Sequence, residues 1–456
     1  MEYPAQPPPL PEIAPLTPKP RGWLVGMILA LLLIFGSLGY TIWHVATDAA
    51  EVKVQELEPN TQLELRARYF YGIYQFIGYL DKKKADDETK ELVAETQDAT
   101  DVDKFRWEIL KEALGFKTTE QEMEQITRGN PKLQEDEKTL GGLRIQPKDV
   151  PAEQWKTFEK HHGWFAKLAW GLSLPSNAPE KRALVRDGVR TVIALVSVVV
   201  FLFLAFICGV VFLVIGMCRW RAGKLLVIVR RPNPVWGGVL LEGFSIYVAS
   251  MSIVPAALHH WWQQWPWWSR YCLILVLGLV AFYWPRWRGV SAAQWRMTLG
   301  LHRGRGVLRE IGVGLLGWTC VLPFLLACLP LVYFIDKHTH SLHEHPVDRL
   351  FSTSGWTQVF AVFLAVVWAP LTEETMFRGL LLTGFSSLIR WVAGAILAAF
   401  VFAALHPQGM AAVPVLMLIA LMFSILRLTR GSLIPSMAAH ALNNGLIAAL
   451  LVFTTG

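Results

Sequence analysis

Residues 371–378 read Leu-Thr-Glu-Glu-Thr-Met-Phe-Arg, in apolar surroundings: Val359–Leu371 leads in and Gly379–Phe385 follows. An ionised carboxylate in such a setting is costly unless something pairs with it. On a helix, Glu374 and Arg378 stand at i,i+4, share a face and can pair. Glu373 lies about 100° round the helix from Glu374 and is left free. One acid therefore reads as structural and its neighbour as available for chemistry. Two later stretches share the setting. Phe402-Ala-Ala-Leu-His406 ends an apolar run, and His440-Ala-Leu-Asn-Asn444 lies inside another.

The whole chain supports a membrane reading. It is 53% hydrophobic and only 17% charged, with a mean hydropathy of +0.36, which excludes an ordinary soluble enzyme. The expected fold class is all-α: a polytopic α-helical membrane protein with a helical extramembrane domain after the first span. Apolar runs at 23–43, 191–218, 237–258, 271–285, 308–335, 355–388, 391–406, 411–427 and 433–453 predict about nine transmembrane helices. Pro370 predicts a kink or break in the longest C-terminal run.

The net charge of +7 sits mostly on short loops, so it reads as a topology signal rather than a nucleic-acid footprint. Arg219, Arg221, Lys224, Arg230 and Arg231 crowd one loop; Arg286, Arg288, Arg296, Arg303, Arg305 and Arg309 crowd another; Arg427 and Arg430 mark a third. Nine spans with a cytoplasmic N-terminus put all three loops inside. Residues 44–190 and the C-terminus then fall outside. Lys181, Arg182, Arg186 and Arg190 run against this pattern, but the long domain they close is a weak determinant of topology.

The expected organisation is a proline-rich tail at 1–22, a transmembrane anchor at 23–43, an extramembrane helical domain at 44–185, further transmembrane helices at 190–285 and a C-terminal membrane domain at 290–453. Trp23–Trp43 is read as an anchor rather than a signal peptide, because its apolar run is long and no small-residue cleavage site follows. In the extramembrane domain, Leu63–Leu80 and Phe105–Leu114 carry helix-period spacing. No nucleotide loop, metal-spaced cluster or nucleophile motif is visible there, and a binding or spacing role is expected. Cys208, Cys218, Cys272, Cys320 and Cys328 lie in or beside apolar segments and read as small core residues. Trp261, Trp262, Trp265, Trp267 and Trp268 read as an interfacial belt. His338, His340, His343 and His345 form a histidine-rich loop, for which metal binding is the lesser reading.

Each polar residue of the C-terminal spans has a bland explanation alone. Glu373 could bond a neighbouring helix, His406 could cap a helix end, His440 could be a satisfied core histidine, and Asn444 could be interhelical glue. Together they suit water activation. A glutamate in an apolar site serves as base. Histidines hold a divalent metal or donate to an oxyanion, and an asparagine amide can also donate. The contiguous His-Glu-x-x-His signature is absent, so this is not a zincin.

In this order and setting, TEETMFRG, FAALH and HALNN resemble the CPBP family of intramembrane proteases, which includes CAAX prenyl endopeptidases and bacteriocin-processing members. The resemblance covers roughly residues 290–453. It implies Glu373 as general base, His406 and His440 as metal or oxyanion residues, and Asn444 as an oxyanion donor. Glu374 with Arg378 would be the supporting ion pair and Phe402 a packing residue. The implied cofactor is a divalent metal, zinc by expectation, with His406 and His440 as its ligands. The implied partners are the lipid bilayer and a membrane-associated peptide or protein substrate, with no nucleic acid, in a bacterial inner membrane. A non-catalytic scaffold of the same family is the competing reading. A transporter is disfavoured because no inverted repeat is visible.

Overall fold

The structure is a computed structural model that describes residues 22–48, 61–80, 100–116, 118–175, 177–224, 227–229, 231–258, 264–265, 267–339 and 355–455. The proline-rich tail up to residue 21, Trp261, Trp262, His340, His343 and His345 lie outside these residues. All regular structure among the described residues is helical. The described residues form two compact units: one holds residues 22–48 and most of 202–448, the other chiefly 61–201.

In the second unit, α2 (Thr61–Leu80), α3 (Asp101–Ala113), α4 (Glu120–Thr127), α5 (Pro131–Ile145), α6 (Ala152–His162) and α7 (Trp164–Leu172) pack with the first turns of α8 (Pro179–Arg221). Local chemistry starts these helices. Thr100 and Asn130 accept from the backbone N–H three residues on, and Thr119 with Glu122 forms a reciprocal capping box. The apolar faces meet in one core containing Phe105, Ile109, Leu133, Leu140, Phe158, Phe165 and Leu168. α2 and α8 cross at two glycines: a Cβ added to Gly72 would stand 2.2 Å from the Gly188 carbonyl oxygen. Leucine at position 72 is therefore expected to destabilise the protein by about 1–3 kcal/mol through overpacking, read as a fall in melting temperature. An unchanged melt would mean that the helices do not cross there.

The other unit contains α1 (Trp23–Asp48), α9 (Pro234–Met251), α10 (Trp267–Trp287), α11 (Ala292–Leu299), α12 (Val307–Thr319), α13 (Leu322–Thr339), α14 (Trp356–Leu388), α15 (Trp391–Ala404), α16 (Val413–Arg430) and α17 (Ile434–Thr455). Among the described residues, six helical stretches are long and apolar enough to cross a membrane: Trp23–Thr41, Pro179–Arg221, Val307–Thr339, Trp356–Leu388, Met410–Arg430 and Ile434–Val452. The protein is thus a polytopic, all-α integral membrane protein. The other three expected spans are also helices. Cys272–Trp287 and Trp391–Ala404 are apolar but short. α9 is buried along most of its length and carries Glu242, which accepts from Trp284 and pairs with Arg288 at 2.9 Å. A helix enclosed by its neighbours need not have a lipid-facing composition.

One sequence expectation needs correction. The five cysteines are free and none is buried; Cys218 and Cys272 are exposed. On apolar helices an exposed face meets lipid, so apolar sequence alone does not place a residue in the protein core. Several loop arginines also do structural work. Arg430 bonds Glu310 at 2.7 Å, and Arg427 donates to the Gly431 and Thr298 carbonyls.

Candidate active site

The site is built on α14, which is not a uniform α-helix. Leu364–Trp368 and Glu374–Leu381 are π-helical, separated by an α-helical turn at Ala369–Glu373. Pro370 accounts for the first irregularity, since its ring has no N–H and would crowd the carbonyl four residues back. The preceding turn widens, and the Ala369 N–H bonds Leu364 O five residues back. In that register Ala365 O would need an N–H from residue 370, which proline lacks. The Asn444 side chain satisfies it instead: its amide Nδ2 donates to Ala365 O at 2.9 Å. The expected effect of Pro370 therefore takes the form of a widened helix, a feature that recurs at functional sites.

The acids separate into two environments. Glu374 is fully buried and Arg378 is 2% exposed, and they form an ion pair at 2.9 Å. The guanidinium also donates to Ala420 O at 3.2 Å. It lies between the rings of Phe402 and Phe423, 4.6 and 5.0 Å from their centroids, in cation–π geometry. Glu374 Oε1 accepts a second bond, from His440 Nδ1 at 2.9 Å. The His440 ring is stacked on Phe423 with centroids 5.1 Å apart. Arg378, Glu374 and His440 thus form one connected unit across α14 and α17.

Glu373 faces the other way. Its Oε2 lies 3.9 Å from His406 Nε2 and 3.9 Å from His440 Nε2. These separations are too long for direct hydrogen bonds, and Glu373 Oε2 is buried without one. The tautomers follow from the partners. His406 Nδ1 faces the Phe402 carbonyl at 2.6 Å, and an oxygen of that kind only accepts, so Nδ1 carries the proton. His440 Nδ1 donates to the Glu374 carboxylate by the same reasoning. In the neutral form of each ring, Nε2 presents its lone pair towards the Glu373 carboxylate oxygen. Three acceptors facing one space repel unless something with positive charge or donatable hydrogens joins them. A water molecule meets that need. So does a divalent cation, because two neutral imidazoles and a carboxylate are a donor set that zinc takes.

Glu373, His406 and His440 are therefore brought together from α14, the end of α15 and α17. Phe402 touches both halves of the site, with its ring 4.2 Å from His406 and 4.6 Å from the Arg378 guanidinium. Asn444 also makes bonds within the fold. One of its amide hydrogens is committed to Ala365 O, and its Oδ1 accepts from Asn443 Nδ2 at 3.3 Å. Asn443 Oδ1 in turn accepts from Trp318 Nε1 at 3.2 Å. Trp318, Asn443 and Phe423 escaped the sequence reading. Neighbouring Asn443 and Asn444 gave no sign of which amide does what, and an aromatic in an apolar run carries no mark of a cation beside it.

A second polar cluster lies in the other compact unit, where no metal-spaced set was expected. Asp136, His161 and His162 bring one ligand atom each within 4.8 Å of one another, a grouping compatible with a divalent metal. Burial holds the His162 imidazole below its ordinary pKa.

Comparison with known proteins adds a family. Residues 355–446 match the family described as type II CAAX prenyl endopeptidase Rce1-like. Over 144 residues the chain is 30% identical to an uncharacterized 24.3 kDa protein of Escherichia coli, covering 30% of this chain and 62% of that protein. The chain thus spans about 62% of the length of that relative. No solved structure matches the chain.

Proposed function

We propose, from the match of residues 355–446 to the type II CAAX prenyl endopeptidase Rce1-like family, that the protein is an intramembrane endopeptidase that cuts membrane-associated peptides or proteins. The observation that carries this reading is the meeting of Glu373 Oε2 with the Nε2 atoms of His406 and His440, 3.9 Å from each. Glu373 takes a proton from water, and the water oxygen attacks the scissile carbonyl carbon. Glu373 then passes that proton to the departing amine nitrogen, so the carboxylate is regenerated. The pair Glu374–Arg378 fixes His440 with its Nε2 turned to Glu373, and the Phe402 carbonyl does the same for His406. With Nδ1 committed as donor in both rings, Nε2 of each neutral imidazole is the atom that would ligate. His406 and His440, with Glu373 beside them, would hold a zinc ion, whose chemistry is to acidify water and polarise a carbonyl. Asn444 keeps one amide hydrogen for the oxyanion, with Asn443 and Trp318 orienting its amide. Cleavage of a membrane-anchored peptide by the purified protein, beside Glu373→Gln, tests the reading.

The same proposal places the protein in a bacterial inner membrane with residues 44–185 outside the cytoplasm, because the arginine-dense loops then face in. Gln154 is exposed in the second unit. With the native cysteines replaced, Gln154→Cys should react with a membrane-impermeant thiol reagent in intact cells. Reaction only after lysis would overturn this orientation.

A further inference from the structure

We infer that Asp136, His161 and His162 form a divalent-cation site of the zinc class in the extramembrane unit, separate from the membrane site. His161 Nδ1 lies 2.9 Å from Asp136 Oδ2, and His162 Nε2 lies 3.1 Å from the same oxygen. Consecutive helix positions diverge by about 100°, so two adjacent histidines do not ordinarily share a target. These two converge because they use different nitrogens. His161, at the rim, turns its near nitrogen inward, and His162, inside, reaches with its far one. Two ligands held at 2.0–2.1 Å around one tetrahedral zinc stand about 3.4 Å apart. The two nitrogens therefore need to draw back from Asp136 Oδ2 by only a few tenths of an ångström, and all three atoms already lie within 4.8 Å of one another.

The surroundings hold this geometry before any ion enters. The His162 ring is clamped by Phe105 and Phe158, with centroids 4.9 and 4.8 Å away. Its Nδ1 has no hydrogen-bond partner, so the ring is fixed by stacking and by what Nε2 meets. Arg106 locks the histidine pair from behind, donating to His161 O at 2.7 Å and to Asp103 at 2.9 Å. Asp103 pairs with Arg106 and offsets its charge, and Asp136 supplies the carboxylate of the site itself. His161 is 19% exposed while Asp136 and His162 are nearly enclosed, so an ion enters from the His161 side and a water completes its shell. The two imidazole nitrogens favour zinc over magnesium or calcium, which take all-oxygen shells. Bound there, the ion ties α5 to the end of α6.

The competing arrangement is a hydrogen-bonded staple, in which Asp136 accepts an N–H from each ring and no ion enters. Zinc titration of the full-length protein separates the two. His406→Ala with His440→Ala removes the imidazoles of the membrane site from the measurement. In that background the inference expects one tight zinc equivalent and a melting temperature that rises with zinc. Asp136→Asn and His161→Gln should each weaken that equivalent by about tenfold or more. His161 is at the rim, so its variant carries the test if Asp136→Asn fails to fold. Failure of zinc to bind, or binding of equal strength in folded His161→Gln, overturns the site. Neither result bears on the protease reading, because the membrane histidines are absent from the experiment.

Discussion

Glu373→Gln should cut hydrolysis of any peptide that the wild-type protein cleaves by about 10²-fold or more while the protein remains folded. The amide keeps the shape of the carboxylate but cannot accept and return a proton. Folding is spared because Glu373 forms no tight ion pair; its closest imidazoles are 3.9 Å away. His406→Ala and His440→Ala should be comparably severe. Combining either with Glu373→Gln should cost little more than the worst single change, because groups that act as a unit are strongly non-additive. Independent, multiplying losses would mean that the three residues do not serve one step. Side-by-side turnover and melting curves give both quantities.

Arg378→Ala should have the largest effect on stability, about 3–5 kcal/mol, the usual result of stranding one partner of a buried ion pair. Glu374 is fully buried and would lose its cation. The two rings that sandwich Arg378, Phe402 and Phe423, would also face a void. His440 depends on Glu374 for its tautomer, so activity should fall even in molecules that stay folded. Arg378→Lys keeps a charge but lacks the fork that reaches both Glu374 and Ala420 O, and should fall between alanine and wild type. Melting curves check this order. An Arg378→Ala protein that melts with the wild type would show that the pair contributes nothing.

What could be read in the sequence was what helix periodicity encodes. Glu374 and Arg378 share a face at four residues' spacing, and the ion pair forms there. The apolar settings of His406 and His440 marked them as misfits for simple packing, although their distance from Glu373 belongs to the packing of three helices. The first π-helical turn was hidden because it follows from carbonyl bookkeeping around Pro370, closed by Asn444 from a helix about 75 residues further on. The Asp136 cluster was hidden for a different reason. Adjacent histidines look divergent on a helix until one knows which nitrogen each uses. The number of spans was blurred by α9, whose burial among neighbours lets it carry Glu242.

The most direct measurement is cleavage in H₂¹⁸O. Wild-type protein and Glu373→Gln, each purified into lipid, are incubated with a panel of membrane-anchored peptides, prenylated and unprenylated, and the fragments are weighed by mass spectrometry. Hydrolysis by water activated at Glu373 predicts internal cleavage by the wild type, with one ¹⁸O atom in the new carboxyl terminus and negligible product from the variant. Equal cleavage by both proteins, or intact peptides throughout from folded wild type, would contradict it.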